Sequence, residues 1–173
     1  FYQSKVCEGV FHRISSGTTR DGLEVFGKME KGYLLSVDSN WDMYGDGYLS
    51  GHYFSEGALR EQLEKAYPGM VFTEEPVENQ INMYKRDKVG HILFLTVGNK
   101  TISGEEFRQL LELPSSNFTM QAADGKIRFL CKGQGHGLGL SQYGGNVLAK
   151  EGKSYKEILR YYFPECGVQK KDS

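Results

Sequence analysis

The stretch GQGHGLGLSQYGGN, Gly133 to Asn146, puts glycine at 133, 135, 137 and 139 around one histidine, His136, and follows it with Ser-Gln-Tyr. Glycine at that density disfavours a continuing strand or helix, so the stretch reads as a loop. What flanks it constrains the fold. Upstream, FTMQAADGKIRFLC carries Asp124-Gly125 between two alternating runs, a strong hairpin signal, and the second run leads into the loop near Lys132. Downstream, Ser141 is placed to cap a short helix. The chain must therefore pass from a hairpin strand, through a glycine-rich loop, into a helix.

The rest of the chain supports an α+β class, a single domain of antiparallel hairpins with interspersed short helices over residues 1–173. The first forty residues place Val6, Val10 and Phe11, then Tyr33, Leu34, Leu35 and Val37, between Gly, Ser and Thr breaks, and read as strands around a polar loop. From Ser55, Leu59, Leu63 and Ala66 or Tyr67 recur at helical spacing, with Glu56/Arg60 and Glu61/Lys65 as i,i+4 pairs, until Pro68-Gly69 ends the run. Residues 81–86 and 91–97 read as two strands joined by the RDKVG turn. Ser103 and Glu106, and again Ser154 and Glu157, have the capping-box spacing. The first box opens a helix with Phe107, Leu110 and Leu111 on one face, stopped by Pro114. Gly152 precedes the second, whose Tyr155, Ile158, Leu159 and Tyr162 fall at i, i+3, i+4, i+7.

Composition removes several function classes. A formal net charge of -1 leaves no field of one sign, which argues against a nucleic-acid partner. No window approaches the roughly 18 apolar residues of a bilayer span, and no charged-then-apolar leader opens the chain. It starts at Phe1, in what reads as an extended segment, so sequence before it is expected. Cys7, Cys131 and Cys166 form neither a CxxC pair nor an even disulfide set. The 11 tyrosines suit core packing first and sugar contacts second.

Four chemistries compete for the glycine loop. Phosphate binding lacks both GxxxxGK[ST] and the acidic residue of a dinucleotide fingerprint. Zinc needs three or four ligands, and His136 has no His or Cys at helical spacing. Cys7 and His12, spaced Cys-x4-His, would point to opposite faces of a straight strand and would need a bulge and further ligands, Cys131 for one; a buried thiol and a hydrogen-bonded histidine is the preferred reading. No cofactor is therefore expected. Two readings stay open: a substrate-cleft wall offering His136, Ser141, Gln142 and Tyr143 to hydroxyls and amides, and a tight strand-to-helix turn.

KGQGHGLGLSQYGGNVLAKEGKSYKEILRYYF resembles the signature of the bacterial stage II sporulation protein D (SpoIID/LytB) family. The resemblance continues through YKRDKVGHILFLTVGNKTISGEEFRQLLELPSSNF and, near the start, FHRISSGTTRDGLEVFG and KGYLLSVDSNWD, so it covers nearly the whole chain. It implies the C-terminal portion of that family's domain and an extracytoplasmic setting at the cell wall, membrane-anchored only through a segment not in this sequence. The implied activity is lytic transglycosylase cleavage of MurNAc-GlcNAc strands to 1,6-anhydro products during sporulation. A wall-binding module or amidase enhancer is the alternative, with peptidoglycan and other wall hydrolases as partners.

The family's catalytic glutamate lies in a VVxxEMP-like segment that residues 1–173 do not contain, so the catalytic residue is left unassigned; Glu8, Asp21 and Glu24 are weak stand-ins near the first loop. By resemblance, substrate-binding positions are His12, Ser15, Ser16, Thr18, Arg108, Ser116, His136, Ser141, Gln142 and Tyr143. Arg108 could equally be a salt-bridged helix residue. Two departures are noted: SSGTT has one glycine where the family has two, and Gly145 stands where alanine is usual, loosening the helix start by up to about 1 kcal/mol.

Overall fold

A computed structural model describes residues 1–169. In chain order the elements are β1 (Phe11–His12), α1 (Gly22–Phe26), β2 (Leu49–Phe54), α2 (Glu56–Ala66), β3 (Ile81–Arg86), β4 (Ile92–Val97), β5 (Lys100–Ser103), α3 (Gly104–Leu110), β6 (Phe118–Ala123), β7 (Lys126–Lys132), β8 (Leu140–Ser141), α4 (Gln142–Lys150) and α5 (Tyr155–Tyr162). The α+β class holds. Contacts resolve the chain into two compact units, one made of Phe1–Tyr48 with the chain from Gly133 onward, the other of Leu49–Lys132. Among the described residues no helix is long and apolar enough to cross a membrane.

The Leu49–Lys132 unit follows its local signals. β6 and β7 pair from Phe118↔Cys131 to Ala123↔Lys126. Their turn holds Asp124 at φ 51° and Gly125 at φ 71°, both left-handed, as a two-residue hairpin of right-handed twist needs. β2 adds to the other edge of β7. β3, β4 and β5 form a second antiparallel sheet. At the RDKVG turn Asp87 Oδ1 accepts the His91 N–H at 2.8 Å and the Val89 N–H at 3.2 Å.

Ser103 caps α3 with both capping-box bonds, and Ser55 caps α2 by accepting the Ala58 N–H. Glu56 and Arg60 pair at 3.7 Å. Leu59 and Leu63 from α2, Leu95 and Val97 from β4, and Phe107, Phe118 and Phe129 share one core. Phe118 sits 5.6 Å from the Phe107 ring and 5.4 Å from that of Phe129. These aromatics and branched residues bury the apolar face that each sheet and helix presents.

The other unit is less regular than its alternation suggests. Of the strands expected in the first forty residues only the two-residue β1 forms, and Tyr33 to Val37 make isolated contacts rather than a ladder. Side chains and bends interrupt the pairing: Thr19 Oγ1 accepts the Val37 N–H, the Thr19 N–H reaches the Val37 carbonyl, and Gly22 N–H donates to Leu34. Consecutive Tyr33 and Leu34 are both buried, which a two-faced strand with one wet face does not allow. They join Leu138, Leu148, Ile158, Tyr162 and Phe163 in this unit's own core. Tyr155, by contrast, stands 63% exposed in the first turn of α5, outside the stripe its spacing suggested.

Candidate functional site

The glycine loop lies along the segment from Val10 to Ser15. The Arg13 and Ile14 N–H groups donate to the Gln134 carbonyl, and Gln134 N–H returns a bond to Ile14. Leu140 N–H donates to Val10 and Tyr143 N–H to Arg13. β8 then runs parallel to β1 with Phe11↔Leu140 and His12↔Ser141.

The alternating glycines have two causes here. Gly133, Gly135, Gly137 and Gly139 all have positive φ, from 70° to 104°. A Cβ on Gly133 would come within 3.0 Å of the Ile14 and Ser15 backbone, one on Gly135 within 2.9 Å of His12 Cβ, and one on Gly139 would overlap the Val10 carbonyl. What these three glycines admit at close range is the protein's own chain.

Ser141 is buried and caps α4, its hydroxyl accepting the Gly144 N–H at 3.2 Å. That leaves Gln142 exposed and Tyr143 half-buried at the first helical turn, where with Arg13, Asp46 and Asn146 they line an open cavity of about 310 Å³. Gln134 braces one side of this region by donating to the Gly47 carbonyl at 2.9 Å.

Two histidines meet edge to face, His136 of the loop and His12 of β1, with centroids 5.9 Å apart. His12 Nδ1 lies 3.0 Å from the Leu138 carbonyl; a carbonyl only accepts, so Nδ1 carries the proton and Nε2 is the free lone pair in the neutral ring. That Nε2 is buried and makes no hydrogen bond among the described residues. Burial lowers the His12 pKa from 6.5 to about 4, with His136 adding to the effect and the Leu138 bond opposing it. His136 Nδ1 accepts the Leu138 N–H at 3.1 Å, and its carbonyl accepts from the buried Arg20 at 3.1 Å. Both rings are thereby fixed in orientation.

The remaining candidates divide between the units. Ser15 N–H donates to Asp42 Oδ2 at 2.7 Å, and Ser15 Oγ accepts from Gly17. The Ser16 carbonyl accepts from Tyr48 Oη at 3.2 Å, while Thr18 Oγ1 reaches Asp38 at 3.4 Å. These lie in the same unit as His12, His136, Ser141, Gln142 and Tyr143. Arg108 and Ser116 belong to the Leu49–Lys132 unit. There Arg108 pairs with Glu105 at 2.6 Å and donates to the Leu113 carbonyl, closing the end of α3, and the buried Ser116 Oγ sits 2.9 Å from His91 Nδ1.

Two of the three acidic stand-ins have local partners: Glu8 is an exposed partner of Lys31, and Asp21 caps α1 by accepting the Glu24 N–H. Spacing alone did not single out Arg13, Asp46 and Asn146, or the fully buried Asp42. Asp42 lies in the SNWD motif, the one signal that pointed toward it. As for metal ligands, among the described residues no three His, Cys, Asp or Glu side chains come close enough to hold an ion. Cys7 faces Cys166 instead of His12, with the sulfurs 3.4 Å apart.

No family model matches the chain. Individual proteins do. It is 30% identical over 172 residues to stage II sporulation protein D of Bacillus amyloliquefaciens and 28% identical over 173 residues to that of Bacillus subtilis, in each case 99% of this chain and 48% of the relative. It is also 32% identical over 88 residues, 51% of this chain, to the amidase enhancer of Bacillus subtilis, of which that match covers 12%. The chain thus spans about half the length of the sporulation proteins it matches.

Proposed function

Because the chain belongs to the stage II sporulation protein D family, we propose that it is the glycan-facing part of a peptidoglycan lytic transglycosylase that remodels the wall during sporulation, outside the cytoplasmic membrane. The observation that carries this reading is the open cavity where α4 begins. Gln142, Tyr143 and Asn146 offer amide and phenol groups there, and Arg13 and Asp46 flank them. Neutral donors and acceptors on an open wall suit a polymer rich in hydroxyls and acetamido groups, and an open cavity lets a long strand pass.

The chemistry asks for one carboxylic acid kept protonated by an apolar setting, which protonates the oxygen of the leaving sugar. The resulting carboxylate then takes the proton of the sugar's own 6-hydroxyl, which closes the anhydro ring in place of water. In this proposal residues 1–173 hold and orient the strand, and the acid comes from a segment outside them. The test uses the full-length protein. Anhydro-ended muropeptides, detected by mass spectrometry, support the reading; reducing-end products alone, or none, refute it.

Gln142→Ala and Tyr143→Ala should each weaken binding to isolated wall sacculi about fivefold, the loss of one hydrogen bond, with the unfolding midpoint unchanged. Wild-type binding by both variants would leave the loop as a turn and nothing more. The amidase-enhancer match favours a second reading, a binding module that stimulates a wall amidase. That reading predicts amidase stimulation by this chain alone.

A further inference from the structure

Two of the cysteines meet. Cys7, in the irregular N-terminal segment, and Cys166, beyond the end of α5, bring their Sγ atoms within 3.4 Å across a sequence separation of 159. The segments that carry them are paired: the Phe1 backbone nitrogen donates to the Gly167 carbonyl at 2.8 Å, and Gly167 N–H donates back to the Phe1 carbonyl at 2.8 Å. Cys166 N–H also donates to the Phe163 carbonyl, which holds the turn after the helix. A disulfide is about 2.05 Å long, so the two sulfurs must close by about 1.4 Å, within reach of small side-chain rotations.

Access and charge agree with that step. Both thiols are half-buried in the wall of an apolar cavity of about 230 Å³ that also includes Val6, Leu159 and Phe163, so a thiol reagent can reach them. Cys131 is fully buried and offers no such access. Burial, and then the neighbouring Cys7, push the Cys166 thiol up to about 11, which keeps Cys166 largely protonated, whereas a disulfide carries no charge.

We propose that Cys7 and Cys166 form a disulfide in the mature protein, a staple that fastens the N-terminal segment to the segment after α5. One cysteine thiolate attacks a sulfur of a disulfide oxidant, either a small-molecule disulfide or a protein oxidoreductase, and expels one thiolate. The second cysteine displaces the other. The two thiols together lose two protons and two electrons, and the oxidant's disulfide is reduced to two thiols. The choice of pair rests on the geometry, and the presence of an oxidant rests on the extracytoplasmic setting proposed above.

The test begins with reduced full chain exposed to oxidised glutathione, then denatured, alkylated and weighed. One alkylated cysteine of three is expected, with a Cys7–Cys166 cross-link in the peptide map. Adding reductant should then lower the unfolding midpoint by several degrees in the wild type and leave the Cys7→Ser/Cys166→Ser double variant unmoved. Three alkylated cysteines after oxidation, a glutathione adduct on both residues, or a cross-link through Cys131 would each overturn the pairing. The same count on protein acid-trapped in the producing cells separates the two premises. A cross-link found there supports the staple. Free thiols there, beside a cross-link in vitro, would overturn its presence in the cell and place the fault with the proposed location rather than with the pair.

Discussion

Neighbouring glycines at the start of α4 should respond to alanine with opposite signs. A Cβ on Gly145 would sit 3.6 Å from Ile158 Cγ2 and from Leu140 Cδ2, ordinary contact in space that exists. Alanine there gains about 0.5–1 kcal/mol of helix propensity and buries one methyl, so about 1 kcal/mol of stabilisation is expected. A Cβ on Gly144 would instead overlap the Tyr162 hydroxyl and the Trp41 indole nitrogen, and would lie 2.6 Å from Ser39 Oγ. Those groups cannot step aside cheaply. Tyr162 is fully buried and its hydroxyl shares a 2.8 Å hydrogen bond with Ser39, itself fully buried.

Overpacking costs about 1–3 kcal/mol, and separating that bond orphans two buried hydroxyls at about 1–3 kcal/mol more, against less than about 1 kcal/mol regained from propensity. A net loss between about 1 and 5 kcal/mol follows, with about 2–4 kcal/mol as its middle. At about 2–4 °C per kcal/mol for a chain of this size, Gly145→Ala should unfold a few degrees above wild type and Gly144→Ala roughly 5–15 °C below it. Thermal unfolding followed by circular dichroism, backed by urea titration, reads both. If Gly144→Ala is neutral or stabilising, the packing of Tyr162, Trp41 and Ser39 over α4 is wrong. If both variants fall together, propensity and local space do not govern the helix start.

His12 makes stability depend on pH. Its folded pKa of about 4 lies below the 6.5 of an unfolded chain, so the unfolded state binds the proton first. Stability from this group is complete above about pH 6.5 and falls as the pH drops toward 4, by about 3 kcal/mol in all. His12→Asn should flatten that slope in urea titrations run across the range; an unchanged slope would rule His12 out as its source. Phe118→Ala removes one of three rings that all contact one another, the others being Phe107 and Phe129, and should cost about 3–5 kcal/mol in the Leu49–Lys132 unit. A loss below about 1 kcal/mol would mean that these aromatics do not form its core.

Local chemistry made much of the Leu49–Lys132 unit legible. The Asp124-Gly125 turn, the Ser103/Glu106 box and the Leu59/Leu63 stripe each encode their element within a few residues, and each forms as read. The short β5 and the edge strand β2 leave no such trace, because neither shows the bounded alternation that marks a strand from sequence. In the other unit the first forty residues misled. Their alternating apolar positions are buried by a long-range core and by side-chain bonds to backbone, so the ladder that alternation implies is not built.

By itself the sequence determined where the backbone must turn, where helices are capped, and that Gly133 to Gly139 form a loop feeding a helix at Ser141. Only the tertiary structure decided what that loop lies against. It places His12 beside His136, brings Arg13 and Asp46 to Gln142 and Tyr143, and sets Cys7 against Cys166. The physical reason is separation along the chain. Caps and turns are bonds between residues two to four apart and leave a pattern in the spacing, whereas contacts between residues far apart in the chain depend on packing that no local pattern carries.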